Sequence, residues 1–304
     1  MHCIITCYTL LLSVVHNSSG LKLHHSVLLA SATPHKSNHD IVLLHGLLGS
    51  ARNFNSFARL LHQKLEYRHN IIIIDLPSHG RSASAPRPKL EYTSLAEDVV
   101  ETLDYLNTPR VHVIGHSMGG KVASTMAMIH SDRVRSLAVL DISPVRYLAE
   151  EFSTVTTLIQ RLYEINIRAH QFTDRNDAQS HLINSIDDVG MVPFLMSNLQ
   201  ADTSGVLDWK FNLDTIVSSM EHVKDFPVPT SLGAFSGPFL LIKGSRSNFV
   251  TSKHLDVIKQ CFKHYSLVSI KECGHWIHAE KPEEASELLK SFVTRFDAAD
   301  AVLP

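Results

Sequence analysis

Val111-His112-Val113-Ile114-Gly115-His116-Ser117-Met118-Gly119-Gly120 is the stretch on which the fold turns. A short apolar run enters Gly-His-Ser-Met-Gly, and a helical pattern begins at Gly120 and continues to about His130. That order predicts strand, sharp turn and helix with a serine at the apex, the context in which a Gly-x-Ser-x-Gly pentapeptide has a mechanism. A serine so placed has strained backbone angles, so the residues two before and two after it must be small. Gly115 and Gly119 meet that demand, and Gly120 adds clearance for helix–strand packing. The hydroxyl is lifted clear of the sheet at the positive end of the next helix, where an oxyanion can be stabilised. A glycine-rich turn with an incidental serine is the alternative reading of the pentapeptide.

Outward from this stretch, strands and helices alternate. Residues 40–46 and 70–75 read as strands apolar on both faces, as does 136–141. Helical spacing runs over 53–65 and 95–106, the second opened by Ser94-x-x-Glu97 as a capping box. Residues 21–32 are β-prone. Residues 238–244 and 265–270 read as the last two strands, with helices over 253–262 and 282–292. The alternation predicts an α/β protein with a mostly parallel, doubly wound sheet. From about 145 to 237 the pattern changes to amphipathic helical segments (152–165, 178–199) and polar links without strand alternation. This segment reads as a helical cap inserted into the sheet order, within one domain covering 21–304.

Composition narrows the function. With 44 % hydrophobic and 19 % charged residues the chain builds a sizeable core and is neither disordered nor fibrous. Lys+Arg number 28 against 30 Asp+Glu, which leaves no basic footprint for nucleic acid. Cys3, Cys7, Cys261 and Cys273 show no Cys-x-x-Cys and no metal-ligand spacing, so no disulfide scaffold is expected. The 20 histidines raise the question of a metal enzyme. Neither His-x-His-x-Asp-His nor His-Glu-x-x-His is present, so no metal and no cofactor are expected, and most of the histidines are placed on the surface. Residues 1–20 hold an apolar run of signal-peptide length, too short to span a bilayer and without a basic flank. They are set aside as a possible targeting segment.

A serine hydroxyl needs a base to take its proton, and the base needs an acid to hold its tautomer. Functional groups in open α/β sheets gather at the carboxyl ends of strands. His275 follows the last predicted strand, with Gly274 before it, and is the expected base. His45 and His79 each precede a glycine in a tight turn and are expected to bond loop backbone. His116 flanks Ser117 and should point away from it.

The order His45-Gly46, Asp75…His79-Gly80-Arg81-Ser82, Gly115-His116-Ser117-Met118-Gly119-Gly120 and Gly274-His275 resembles the α/β-hydrolase fold family, from about residue 21 onward. The stretches His-Gly-Leu-Leu-Gly-Ser, Gly-His-Ser-Met-Gly-Gly-Lys, Asp-Ile-Ser-Pro-Val and Cys-Gly-His-Trp-Ile-His-Ala-Glu-Lys-Pro are similar to one subgroup of it. That subgroup comprises small bacterial esterases and eukaryotic mitochondrial relatives of the α/β-hydrolase domain-containing protein 11 type, described as diacylglycerol lipase-like. Most of the family carries an aspartate shortly after the strand ending here at Gly244. This chain has Ser245-Arg246-Ser247-Asn248 instead. Asp141, at a strand end 24 residues after Ser117, is the expected acid, and the resembled subgroup uses that position. Asp214, in the cap, is the alternative acid.

An oxyanion hole needs two backbone N–H groups, expected from Met118 and from Leu47 in the loop after His45-Gly46. In the cap, Phe194, Leu199 and Trp209, together with Trp276 beside His275, are candidate substrate-pocket residues. The reading is a serine esterase acting through an acyl-enzyme. By resemblance it acts on acylglycerols such as diacylglycerol, with a peripheral lipid contact, mitochondrial placement and an association with lipoylated dehydrogenase complexes. Thioesterase or amidase activity with the same three residues, and a non-catalytic binding role, are the alternatives.

Overall fold

The computed structural model describes residues 22–30, 39–65, 69–85, 87–227 and 234–298. The possible targeting segment, with Cys3 and Cys7, lies outside them. In chain order the strands are β1 (His25–Leu28), β2 (Asp40–Leu44), β3 (Ile71–Ile74), β4 (Val111–His116), β5 (Val134–Leu140), β6 (Leu199–Ala201), β7 (Leu207–Trp209), β8 (Phe235–Gly244) and β9 (Phe262–Ile270). The α-helices are α1 (Ala51–Lys64), α2 (Tyr92–Tyr105), α3 (Met118–Ile129), α4 (Ser153–Ile165), α5 (Arg175–Ser185), α6 (Val192–Ser197), α7 (Leu213–Ser218), α8 (Met220–Lys224), α9 (Leu255–Cys261), α10 (Ile277–Glu280) and α11 (Pro282–Ala298).

Seven strands form one sheet in the order β1-β3-β2-β4-β5-β8-β9, parallel except for β1, which runs antiparallel to β3. The apolar runs are continuous because both faces are covered. Val42, Leu44, Ile72, Ile74, Val113 and Val139 point into the cluster shared with α2, α3 and the cap. Their neighbours Ile41, Leu43, Ile71, Ile73, Ile114 and Leu140 point into the cluster shared with α1 and α11. After β2 the chain moves outward to β3, and it then returns to place β4 on the other side of β2. That reversal opens a crevice at the carboxyl ends of β2 and β4, where ligands bind in doubly wound sheets.

Several boundaries differ from the expectation. Among the described residues of the β-prone stretch at 21–32, ladder pairing covers β1. The helix α2 begins at Tyr92 with Glu91 as its N-cap, so Ser94 and Glu97 form no capping box. Tertiary bonds start it early: Leu90 N donates to Ser219 Oγ at 3.0 Å, and Tyr92 OH donates to Val223 O at 2.7 Å. Glu97 instead pairs with His130 at 3.0 Å. The predicted 178–199 helix is broken after α5, where Asp188 caps a short 3-10 turn and Pro193 restarts the chain as α6. Between β5 and β8 the cap also holds an antiparallel ribbon, β6 with β7, that the helical reading missed. Its turn is closed by Asp202, whose Oδ1 accepts from Ser204 N and Val206 N. Three residues per strand are too few for alternation to register. The C-terminal helix α11 runs six residues past the expected Phe292.

Candidate active site

Ser117 lies between β4 and α3 with φ 52° and ψ −124°, the strained elbow expected. The close approaches around it explain its glycines. A Cβ on Gly115 would lie 2.2 Å from Gly119 O, and one on Gly119 would lie 2.4 Å from Leu44 O. The elbow is tied to the next strand by Ser117 N donating to Leu140 O at 3.0 Å. Met118 opens α3, and the first N–H groups of a helix have no intrahelical acceptor. Leu47 and Met118 both line the cavity above Ser117, as an oxyanion pair requires.

Asp141 follows β5 directly and is fully buried. Its φ of 54° turns the chain out of the strand, and its N–H donates to Ile242 O at 2.8 Å. Three donors converge on its carboxylate. Gly244 N reaches Oδ1 at 2.9 Å, His275 Nδ1 lies 2.7 Å from Oδ2, and Ser247 Oγ donates to the same Oδ2. A buried carboxylate is tolerated when its oxygens are bonded in this way. The structure thus brings Asp141, not Asp214, to His275. Asp214 sits exposed in the first turn of α7, away from the cavity wall. Its place in the chain gave no hint that α7 turns it to solvent.

His275 stands in the loop between β9 and α10. Glu280 brackets it, accepting from Gly274 N at 2.8 Å and from Trp276 N at 3.2 Å. From behind, His116 donates from Nε2 to His275 O at 2.9 Å, which commits this ring nitrogen to backbone. Burial, and then the neighbouring imidazoles of His278 and His275, push His116 well below the usual histidine range. It is a neutral donor. Phe249 packs on the His275 ring with centroids 4.4 Å apart. Ser247 and Glu280 were not singled out in the sequence. Glu280 lies inside the His-Ala-Glu-Lys-Pro stretch, and no local pattern marks Ser247, whose partner Asp141 stands 106 residues earlier.

Several histidines lie in the core, and His45 and His79 bond loop backbone as expected. His45, His69, His79, His112, His116, His254 and His278 are buried rather than superficial. Most close loops at strand ends, where imidazole bonds backbone without carrying charge. Leu76 N donates to His45 Nε2 at 2.9 Å, and His45 Nδ1 donates to Gly46 O at 2.8 Å, which ties the oxyanion loop to the end of β3. His79 Nδ1 donates to Pro77 O at 2.8 Å. Burial pushes His79 and His278 down to about 3. One group of ligand-type side chains, His69, His112 and Asp297, gathers at the amino ends of β3 and β4.

Ser117 and His275 open onto a cavity of about 730 Å³ under the cap. Of the four cap and loop residues expected to line a substrate pocket, Phe194 and Trp276 do so, with ring centroids 6.2 Å apart. Leu199 and Trp209 do not. They face each other across the β6–β7 ribbon, and Trp209 stacks on Phe211 at 5.0 Å. The other cavity wall is α4 and the turn before it, with Phe152, Leu158 and Ile159 as apolar members. Lys121, on α3, is buried and bridges to the cap. Its Nζ donates to Lys224 O at 3.1 Å and Asp225 O at 2.7 Å, at the carboxyl end of α8, and faces the Tyr147 ring at 4.6 Å. No helix among the described residues is long and apolar enough to cross a membrane.

A serine elbow, a buried carboxylate on an imidazole and a covered apolar cavity at a sheet switch point are the parts of a hydrolase of the α/β class. The profile of the alpha/beta hydrolase fold matches residues 41–282, and the chain belongs to that family. It is 31 % identical over 253 residues to mouse (Mus musculus) sn-1-specific diacylglycerol lipase ABHD11, covering 83 % of this chain and 80 % of that protein. It is 30 % identical over 258 residues to the Escherichia coli esterase YbfF, covering 84 % and 94 %. Among solved structures, a marine microorganism esterase superposes with a TM-score of 0.80 at 30 % identity, over 90 % of this chain and 100 % of the other.

Proposed function

We propose that the protein is a serine esterase that cleaves carboxylic esters through an acyl-enzyme, with Ser117 as nucleophile, His275 as base and Asp141 as its orienting acid. The observation that carries this reading is the 2.7 Å bond to a fully buried Asp141 from Nδ1 of His275, which lines the same cavity as Ser117. With Nδ1–H given to Asp141, Nε2 is the lone pair left to accept the Ser117 proton. Ser117 Oγ then forms a bond to the ester carbonyl carbon, and the carbonyl oxygen becomes an oxyanion held by the N–H groups of Leu47 and Met118. Collapse breaks the bond to the alcohol oxygen, which takes the proton from His275 Nε2 and leaves as alcohol. Water repeats the sequence on the acyl-enzyme and releases the acid. Each oxyanion donor contributes about 3 kcal/mol to such a step.

The apolar members of the cavity, Phe152, Leu158, Ile159 and Phe194, favour an acyl chain in the substrate. The diacylglycerol lipase named among the relatives supports acylglycerols as the substrate class. Turnover of p-nitrophenyl esters of increasing acyl length, by the wild type and by Ser117→Ala, Asp141→Asn and Asp214→Asn, tests the reading. Turnover is expected to vanish with Ser117→Ala, fall by about 10⁴-fold with Asp141→Asn, and remain with Asp214→Asn. A collapse with Asp214→Asn and not with Asp141→Asn would sink the assignment.

A further inference from the structure

The strand that leads to Ser117 begins, at its amino end, near His112. Five residues at about 3.3 Å each place the two about 16 Å apart, so what gathers at His112 stands clear of the ester chemistry. His112 Nδ1 lies 2.7 Å from Ser136 Oγ, and its Nε2 lies 3.2 Å from Asp297 Oδ1 in the last turn of α11. His69, on the approach to β3, has Nε2 3.0 Å from the other oxygen of the same carboxylate. All three side chains are buried, with their ligand atoms within 4.8 Å of one another.

The bonding of His69 asks for a cation. Its Nδ1 lies 2.7 Å from His39 O, and a carbonyl only accepts, so Nδ1 carries the hydrogen. In a neutral imidazole Nε2 is then a lone pair, and it faces a carboxylate oxygen. Something positive must lie between them. A proton would do so along the line joining the two atoms, which pairs them at 3.0 Å, yet the His69 ring is turned off that line. An ion about 2.1 Å from both atoms, with a ligand angle of about 100°, separates them by about 3.2 Å. It sits to one side of the line joining them, so an imidazole aimed at the ion is turned off the oxygen, as His69 is.

We propose that His69 Nε2, His112 Nε2 and the Asp297 carboxylate bind one divalent transition-metal ion of the zinc class. Two imidazoles and a carboxylate suit zinc, and exclude magnesium and calcium, which take oxygen ligands. Water completes the coordination. The ion fastens α11 to the amino ends of β3 and β4, so it is a structural staple rather than part of the reaction.

The test is cobalt and zinc titration of the full chain after chelator treatment and dialysis, alongside Asp297→Asn, His69→Gln and His275→Ala. The wild type and His275→Ala are expected to take up one equivalent of Co²⁺ with a visible d–d band, displaced by Zn²⁺, and to melt several degrees higher with metal bound. Asp297→Asn and His69→Gln should each weaken uptake by about 100-fold or more while ester turnover stays within about twofold. Circular dichroism shows whether each variant is folded, and the conservative His69→Gln keeps the question decidable if Asp297→Asn is not. Absence of a cobalt band in the wild type overturns the site and leaves a hydrogen-bonded cluster. Uptake that folded His69→Gln leaves unchanged, or that His275→Ala abolishes, overturns it by moving the metal elsewhere.

Discussion

Ser247 Oγ and His275 Nδ1 meet on one oxygen, Oδ2 of Asp141. The loop after β8 carries no carboxylate, and it contributes a hydroxyl to the one that β5 supplies. A hydrogen bond to a charged group is worth about 1.5–3 kcal/mol. Ser247→Ala is therefore expected to lower kcat by about tenfold or more with KM little changed, because it loosens the acid without touching the cavity's apolar wall. Steady-state kinetics on one ester checks this; a change confined to KM would refute it.

The elbow tolerates no side chain at Gly119. A Cβ there meets Leu44 O at 2.4 Å, which is backbone and cannot swing aside. Gly119→Ala should cost at least about 3 kcal/mol of stability, at the upper end of overpacking effects. Urea unfolding of the variant against the wild type measures it.

Acid should destabilise the fold well above the carboxylate range. Burial holds His79 and His278 at about 3 in the folded chain, against 6.5 unfolded. Below pH 6.5 the unfolded chain binds protons that the folded one refuses. Stability is therefore fully present above about pH 6.5 and is lost as pH falls toward 3, by about 1.4 kcal/mol per pH unit for each group. Melting temperatures at pH 7, 6 and 5 should fall progressively, and His278→Leu should flatten the slope.

Lys121 joins the elbow helix to the carboxyl end of α8. Replacing it by Met fills the space but leaves the carbonyls of Lys224 and Asp225 without their donor, at about 1–3 kcal/mol. The expected outcome is faster proteolysis within residues 220–227 under native conditions, mapped by mass spectrometry.

Phe194 is placed to meet an acyl chain beside Trp276. Phe194→Ala should lower kcat/KM for a long-chain ester by about 10-fold or more and for an acetyl ester by much less. Equal losses on both would remove it from the acyl path.

The parts legible in the sequence are those fixed by local chemistry. The Gly115–Gly119 spacing dictates the elbow because backbone meets backbone there, and the doubly apolar runs of β2 and β3 dictate a covered parallel sheet. What escaped depends on partners far along the chain. The start of α2 is set by Ser219 and Val223, the buried state of His112 by Ser136 and Asp297, and the service of Ser247 by a carboxylate 106 residues earlier. Leu199 and Trp209 looked like pocket residues because apolar clusters in a cap read alike. Only the β6–β7 pairing shows that they pack on the cap itself.

Asp141 stands on the strand next to the elbow, before the chain enters the cap. Two of the three side chains proposed to react are thus encoded in one uninterrupted block, and the cap is spliced in downstream of both. A cap borrowed from a relative, longer or shorter, replaces the far wall of the cavity but leaves Ser117 and Asp141 on their own block, and the loop of His275 is held by Glu280 within the same turn. The architecture is built for grafting: chimeras that exchange the segment between β5 and β8 should inherit the donor's taste for substrate on this chain's own chemistry.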